Sequence, residues 1–296
     1  FQAGTSITTG QLNNLFGANA GDALTTGGSN TAMGHSALGS ATTGGNNVAI
    51  GAYSLNVSAA SNNTAVGMRS LYANTTGFDN TSVGSLALDS NTTGSLNTAV
   101  GKSALAANTT ADSNSAFGRR SLYSNTTGSQ NTALGYLSLL LNTTASYNTS
   151  VGTQSLQANT TGANNSALGF QALYSNTTAS NNTAVGHQAG YSNTTAADIT
   201  AVGYKALYAN TGAQNTAIGT QALLTNSTGI DNSALGRNAM VFNTTGSNNV
   251  GLGHSALLNN TTGSYNVAVG RVALNANTTA SENTAVGYYS LGNNTT

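Results

Sequence analysis

The sequence predicts an all-β fold, a parallel β-solenoid (β-roll) of seventeen coils with two short strands per coil. A glycine ends the phrase Asn-Thr-Ala-Val-Gly, or a close variant of it, once in every coil, and the usual step between these glycines is 17 residues. Seventeen residues cannot enclose a core, so each coil must bury its apolar side chains against the next coil. No linker interrupts the repeat, which predicts a single solenoid over residues 1–296. The marker glycines are Gly17, Gly34, Gly51, Gly67, Gly84, Gly101, Gly118, Gly135, Gly152, Gly169, Gly186, Gly203, Gly219, Gly236, Gly253, Gly270 and Gly287.

The first predicted strand lies directly before the marker glycine. The residue before the glycine is apolar in every coil, the residue two places earlier is Thr, Ser or Val in all but the first, and a small residue stands between them, as in Thr64-Ala65-Val66. This alternation over a β-branched stretch is typical of a strand. Because Val replaces Thr freely, we expect both of these columns to face the core. The Ala and Ser residues between them would then point outward.

A second short strand is predicted a few residues after the glycine. Leu stands four residues after it in fourteen coils, with Gly21, Gly190 and Met240 as exceptions, and an Ala or Ser precedes that position in every coil. The stretch is too short, and too closely flanked by Gly and Asn-Thr-Thr, to nucleate a helix. We therefore expect the Leu side chain to meet the Val side chain of the first strand across a thin interior.

The two corners of the coil are rich in asparagine. Asn opens the first strand in sixteen coils, with Ile199 as the exception, and stacked Asn side chains can form hydrogen-bonded ladders. The second corner reads Asn-Thr-Thr followed by Gly or Ala. Both 16-residue steps lose a residue there, at Asn210-Thr211-Gly212 and at Val57–Ala60. Deletions confined to a turn are what a solenoid tolerates.

Composition excludes several classes of protein. Charged residues make up 5% of the chain, against about 25% in ordinary globular proteins. The formal net charge is zero, which argues against electrostatic binding of nucleic acid or anionic membranes. No apolar run is long enough to form a transmembrane helix. The chain begins at Phe1 and stops within a repeat at Thr296, so we take it as a segment of a longer or processed protein whose flanking domains lie outside it.

No catalytic, cofactor-binding or metal-ligating residue is predicted, and we expect no enzymatic activity. The chain has no cysteine, and His35, His187 and His254 occupy the same part of distant coils. Gly251-Leu252-Gly253 lacks the rest of a dinucleotide-binding motif and is interpreted as part of a repeat strand. The Asn-Thr-Thr triplets match the glycosylation sequon, but we interpret them as turn residues.

Charged and aromatic residues occupy restricted positions. The basic residues all follow the marker glycine by one or two places, and most acidic residues come shortly before the Asn that opens the strand. These two stripes either keep the corners solvated or pair across a subunit interface. The tyrosines lie along the same edges, where they either pack between coils or stack on sugar rings. The basic residues are Arg69, Lys102, Arg119, Arg120, Lys205, Arg237 and Arg271.

The small residues predict self-association. If Val and Leu fill the coil, the Ala and Ser columns form a long, weakly apolar band on its outside, and such bands mark interfaces. We expect a closed homo-oligomer, most simply a homotrimer, packed through these faces. With strands about 4.8 Å apart, seventeen coils would make a rod about 80 Å long.

Two phrases resemble known families. Asn47-Val48-Ala49-Ile50-Gly51 and its copy at 266–270 are similar to the head repeats of trimeric autotransporter adhesins, which are trimeric left-handed parallel β-rolls with a shorter unit. The whole unit from Asn63 to Gly77, and the opening stretch 17–27, look more like the arrays of phage tail-fibre and bacterial fibre-like proteins. The resemblance covers nearly all of the chain and implies an elongated, trimeric, extracellular fibre. It assigns no binding residues.

The sequence is compatible with three functions. The first is a non-enzymatic structural or adhesive fibre segment at a cell surface or on a virion, with other copies of itself as partners and a surface glycan or host receptor as a further partner. The second is an ice- or crystal-surface-binding solenoid that uses stacked Thr ladders. The third is glycan binding along the tyrosine-bearing edges.

Overall fold

A computed structural model describes residues 2–295 and shows a parallel β-solenoid with coils of about 17 residues, without any helix in that range. The chain falls into two compact units, the first ending at Asn148 and the second beginning at Thr149. The first unit contains β1 (Asn14–Phe16), β2 (Thr31–Met33), β3 (Val48–Ile50), β4 (Thr64–Val66), β5 (Thr81–Val83), β6 (Thr98–Val100), β7 (Ser115–Phe117) and β8 (Thr132–Leu134). The second contains β9 (Thr149–Val151), β10 (Ser166–Leu168), β11 (Thr183–Val185), β12 (Thr200–Val202), β13 (Thr216–Ile218), β14 (Ser233–Leu235), β15 (Val250–Leu252), β16 (Val267–Val269) and β17 (Thr284–Val286).

Within each unit the strands pair in parallel and in register, so that each position of the repeat forms a column along the solenoid. Thr81 lies beside Thr98, Ser82 beside Ala99, and Val83 beside Val100. The register follows from the constant step between coils, because a slip by one residue would turn every buried side chain outward.

The predicted orientation of these strands was wrong. The central Ala or Ser points into the coil and is fully buried, as at Ala65 and Ala99, whereas the Thr and Val columns on either side face outward. The coil is thin, and its interior has room for a methyl group at this position but not for a row of Val side chains. The Ala/Ser faces are therefore part of the core, and they are not available for packing between copies.

The predicted second strand is also absent from residues 2–295, because each coil has a single strand. After the marker glycine the backbone enters the left-handed region at two alternate residues, as at Ser36 (φ 52°) and Leu38 (φ 51°), so the chain curls instead of extending. Bonds to neighbouring coils persist: the Ser36 N–H donates to the Ala18 carbonyl of the previous coil, and the Leu38 N–H donates to Ser54 of the next. The Leu side chains of this column are fully buried, as predicted, from Leu38 to Leu274, and Leu291 in the last coil is exposed.

Two buried asparagine ladders occupy the polar side of the interior, which confirms the Asn columns as structural. At the strand-opening position, the Asn97 side chain accepts a bond from the Asn114 N–H (2.9 Å) and donates to the Ala111 carbonyl (2.8 Å). At the Asn-Thr-Thr corner, the Asn108 side chain donates to Asn91 of the previous coil (2.8 Å) and to Ala111 (3.0 Å). Buried amides are stable only when they are bonded in this way, so these ladders fix the shape of both corners.

The exceptions to the Leu column are compensated by their neighbours. Gly21 leaves space that the Leu15 and Leu24 side chains fill, since a Cβ on Gly21 would lie 2.8–2.9 Å from their methyl groups. Met240 extends under Gly251, which replaces the usual Ala of the strand, and its Cγ would be 3.1 Å from a Cβ there. Each deviation in size is therefore balanced within the same local interior.

The third exception combines the loss of a Leu with the loss of an Asn. A Cβ on Gly190 would lie 3.6 Å from the Ile199 Cδ1 atom, so Ile199 partly fills the space that the missing Leu leaves. The asparagine ladder is interrupted nearby: the Asn193 Oδ1 atom is buried without a hydrogen-bond partner, and the Asn210 side chain donates to Gly212 within its own shortened turn.

We expect Gly190 and Ile199 to be energetically coupled. Gly190→Leu alone should destabilise the protein by crowding Ile199 and Leu173, and Ile199→Asn alone should leave an unfilled space. The double variant restores the common residues at both positions, so a double-mutant cycle measured by urea unfolding should give a favourable coupling of about 1–3 kcal/mol. Additive effects of the two changes would contradict this packing.

Candidate interaction surfaces

In each unit, the outward side of the strands forms an apolar, uncharged surface, which we call the strand face. It consists of the two outward columns of each strand, the Thr column and the Val column. The Val column exposes a large apolar residue in many coils: Leu134 is 48% and Leu168 is 50% exposed. No charged residue occurs in either column of β1–β17. The members of the Val column are Phe16, Met33, Ile50, Val66, Val83, Val100, Phe117, Leu134, Val151, Leu168, Val185, Val202, Ile218, Leu235, Leu252, Val269 and Val286.

The strand face has a shallow apolar groove over β13–β15. It is lined by Ile218, Leu235 and Leu252 of the Val column and by the smaller Thr216, Ser233 and Val250 beside them. Ala234 and Gly251 of the central column complete its lining.

The threonines of the second corner form a separate ladder. The Thr75 hydroxyl donates to the Thr92 carbonyl of the next coil (2.9 Å), and the Thr92 hydroxyl donates to Thr109 in the same way (3.0 Å). These hydroxyls brace the turn. The strand-face Thr residues are the ones that project outward from the sheet.

The tyrosine edge is mostly occupied by packing between coils. Tyr174, Tyr191 and Tyr208 stack in consecutive coils, with ring centroids 5.1 Å apart and planes within 4–9° of parallel. Partial burial, followed by the neighbouring Tyr174 and Tyr208, raises the pKa of Tyr191. A second stack joins Phe170, His187 and Tyr204. The faces of these rings contact one another, so they offer few free faces to a sugar.

The basic residues lie mainly over tyrosine rings. Arg120 is 5.3 Å from the Tyr123 ring centroid, and Lys205 lies over both Tyr204 (5.5 Å) and Tyr208 (5.1 Å). Such contacts at exposed sites contribute about 0.5–1 kcal/mol each. One ion pair occurs among the described residues, between Arg69 and Asp89 of the next coil at 3.0 Å.

The structure leaves the prediction of no active site untested. Within residues 2–295, no group of three or more His, Cys, Asp or Glu side chains is placed to hold a metal ion. The Asn of the Asn-Thr-Thr corner is fully buried in most coils, for example at Asn74 and Asn108, so the folded coil has no space for a glycan on those residues.

Comparison with known proteins assigns the chain to no family. No family model matches the chain, and no curated protein matches it. In the part of the chain that the structure describes, no helix is long and apolar enough to cross a membrane. The fold class is a tandem-repeat parallel β-solenoid, and function has to be argued from its surfaces.

Proposed function

We propose that this protein is a non-enzymatic structural fibre segment whose copies associate side by side through the strand face, in a closed homo-oligomer such as a homotrimer. The observation that carries the proposal is the uncharged apolar Val column, which repeats in every coil and is exposed or half-buried in a single chain. An extracellular location, as a cell-surface or virion appendage with a receptor or surface glycan as its target, is proposed on the sequence resemblance.

The strand face is suited to contact with a second copy of the chain. Its backbone groups are already paired with neighbouring strands, so that only side chains remain to make contacts. Two copies have the same spacing between coils, so a fit at one coil is repeated at the next. The eight strands of the first unit, each three residues long, present about 400 Å² on this face. An area of this size is comparable to the largest apolar patch of a typical monomer, which is often functional.

A charge placed on the strand face should abolish association. Leu168→Lys adds a cation to the Val column, whereas Thr178→Lys adds the same charge at an exposed turn of the next coil. Light scattering should give a multiple of 29.4 kDa for the wild type and for Thr178→Lys, and a mass of 29.4 kDa for Leu168→Lys. A monomeric wild type, or equal masses for the two variants, would contradict lateral packing through this face.

Ice- or crystal-surface binding is a second candidate for the same face. The specific observation in its favour is that the strand Thr column projects outward, next to the Val column, in regular rows without charges. Arg and Tyr residues lie in other columns and do not interrupt the rows. Thermal hysteresis measured on the soluble chain tests this function directly, and its absence at high protein concentration would eliminate it.

A further inference from the structure

A small notch opens on the edge of the first unit where one coil carries only small side chains. The coil that begins at Gly101 has Ser103 and Ala106 in columns where the coils on either side carry larger residues. The notch is lined by Leu86, Asp89 and Ser90 on one side, Ser103 and Ala106 at the bottom, and Tyr123 on the other side. Its two walls stand two coils apart, or about 10 Å between backbones.

The walls of the notch differ in chemistry. Tyr123 borders the space with its ring, and no tyrosine stacks on it from the Gly101 coil because Ala106 occupies that position. Arg120 of the Tyr123 coil lies over the ring, with its guanidinium carbon 5.3 Å from the ring centroid. On the opposite wall, Asp89 is held by a two-point contact with the Arg69 guanidinium, with both N···O distances 3.0 Å. The Asp89 carboxylate is thus fixed in place and neutralised by Arg69, while each oxygen can still accept a further hydrogen bond.

We propose that this notch binds a single neutral pyranose ring. The apolar C–H face of the sugar would lie against Tyr123, and its hydroxyls would donate to Asp89 and bond with the Ser103 hydroxyl. Because Arg69 neutralises Asp89, the one charged residue of the lining, the notch offers no unpaired charge to attract an anion or a cation. A neutral ring with one apolar face and several hydroxyls fits these walls.

Position in the repeat separates this site from the other tyrosines. Tyr123 follows a coil with Ala106 in its column, whereas Tyr191 lies between Tyr174 and Tyr208 and has both faces covered. The proposed site belongs to a single chain and does not depend on association through the strand face. Its test can therefore fail independently of the fibre proposal.

The experiment is saturation-transfer difference NMR on the full chain, with the methyl glycosides of glucose, galactose, mannose and N-acetylglucosamine as probes. Binding at about millimolar affinity is expected for at least one of them, because a ligand of this size makes few contacts. Ala106→Leu fills the notch and should abolish the signal. Tyr123→Leu should weaken binding about tenfold. Leu already occupies this column at Leu140 and Leu224, so the repeat accommodates both changes.

Tyr191→Leu is the matched control, since it removes a stacked tyrosine from the same column. It should leave sugar binding unchanged, and circular dichroism should show that all three variants remain folded. Absence of signal with every probe would overturn the proposal. Binding that survives Ala106→Leu, or that is lost in Tyr191→Leu, would also overturn it, because the sugar would then lie elsewhere.

Discussion

Gly101→Ala is expected to destabilise the protein by about 4 kcal/mol, the larger of two effects on the repeat itself. Gly101 has a φ of 138°, a conformation that L-residues rarely adopt. A Cβ there would lie 2.5 Å from the Gly118 carbonyl oxygen and 2.6 Å from its carbon. This carbonyl is held in place, because it accepts hydrogen bonds from the Ser121 N–H (3.2 Å) and the Ser121 hydroxyl (2.9 Å). The shift in the midpoint of urea unfolding, relative to the wild type, measures the loss of stability.

Gly94→Ala is the control, because it tests the clash without the unusual φ. A Cβ on Gly94 would also meet a carbonyl of the next coil, that of Ala111, but the Gly94 φ lies outside the left-handed region. The same column already contains alanine at Ala111 and Ala145, so small backbone shifts accommodate the methyl group. We expect little change for Gly94→Ala. Equal losses for the two variants would mean that φ does not decide which glycines are required.

Asn97→Ala is expected to cost about 1–3 kcal/mol, the cost of one unpaired buried polar group. The change removes the acceptor of the Asn114 N–H, which is buried, whereas the Ala111 carbonyl keeps the Asn108 side chain as a donor. Thermal and urea unfolding, compared with the wild type, measure the effect.

Thr127→Ala provides the control for this loss. Thr127 is exposed at the second corner of the neighbouring coil, where its N–H bonds to the Thr143 carbonyl. We expect a change within about 0.5 kcal/mol for this surface substitution. A loss at Asn97 no greater than the loss at Thr127 would show that the buried ladder does not stabilise the coil.

The fold class could be predicted from the sequence because the repeat fixes the coil length and the positions of its corners. The orientation of the strand could not be inferred from the exchange of Thr for Val, since both residues also suit an outward face of a sheet. The variation in side-chain size within each column was the better indicator of which column faces the interior. The column before the glycine varies from Val66 to Phe117, whereas the central column is nearly always Ala or Ser, and a thin interior tolerates variation only on its outside.

The absence of a second strand also has a physical explanation. Leu at φ values near +50° is unusual, and no local sequence pattern predicts this conformation. The glycines at Gly21 and Gly190 are the only hint, because glycine replaces leucine readily where φ is positive. The notch beside Tyr123 can be predicted from the sequence only once the outward-facing columns of the coil are known.

Burial of the strand face between copies is the central claim, and the chain has no cysteine to complicate a direct test. Single cysteines replace Val202 on the face, Ala201 in the core and Thr195 at an exposed turn, each in the wild type and in the Leu168→Lys background. Maleimide should label Val202→Cys severalfold more slowly in the wild type than in Leu168→Lys. It should label Thr195→Cys at the same rate in both and leave Ala201→Cys unlabelled. Equal rates for Val202→Cys in the two backgrounds would contradict the claim.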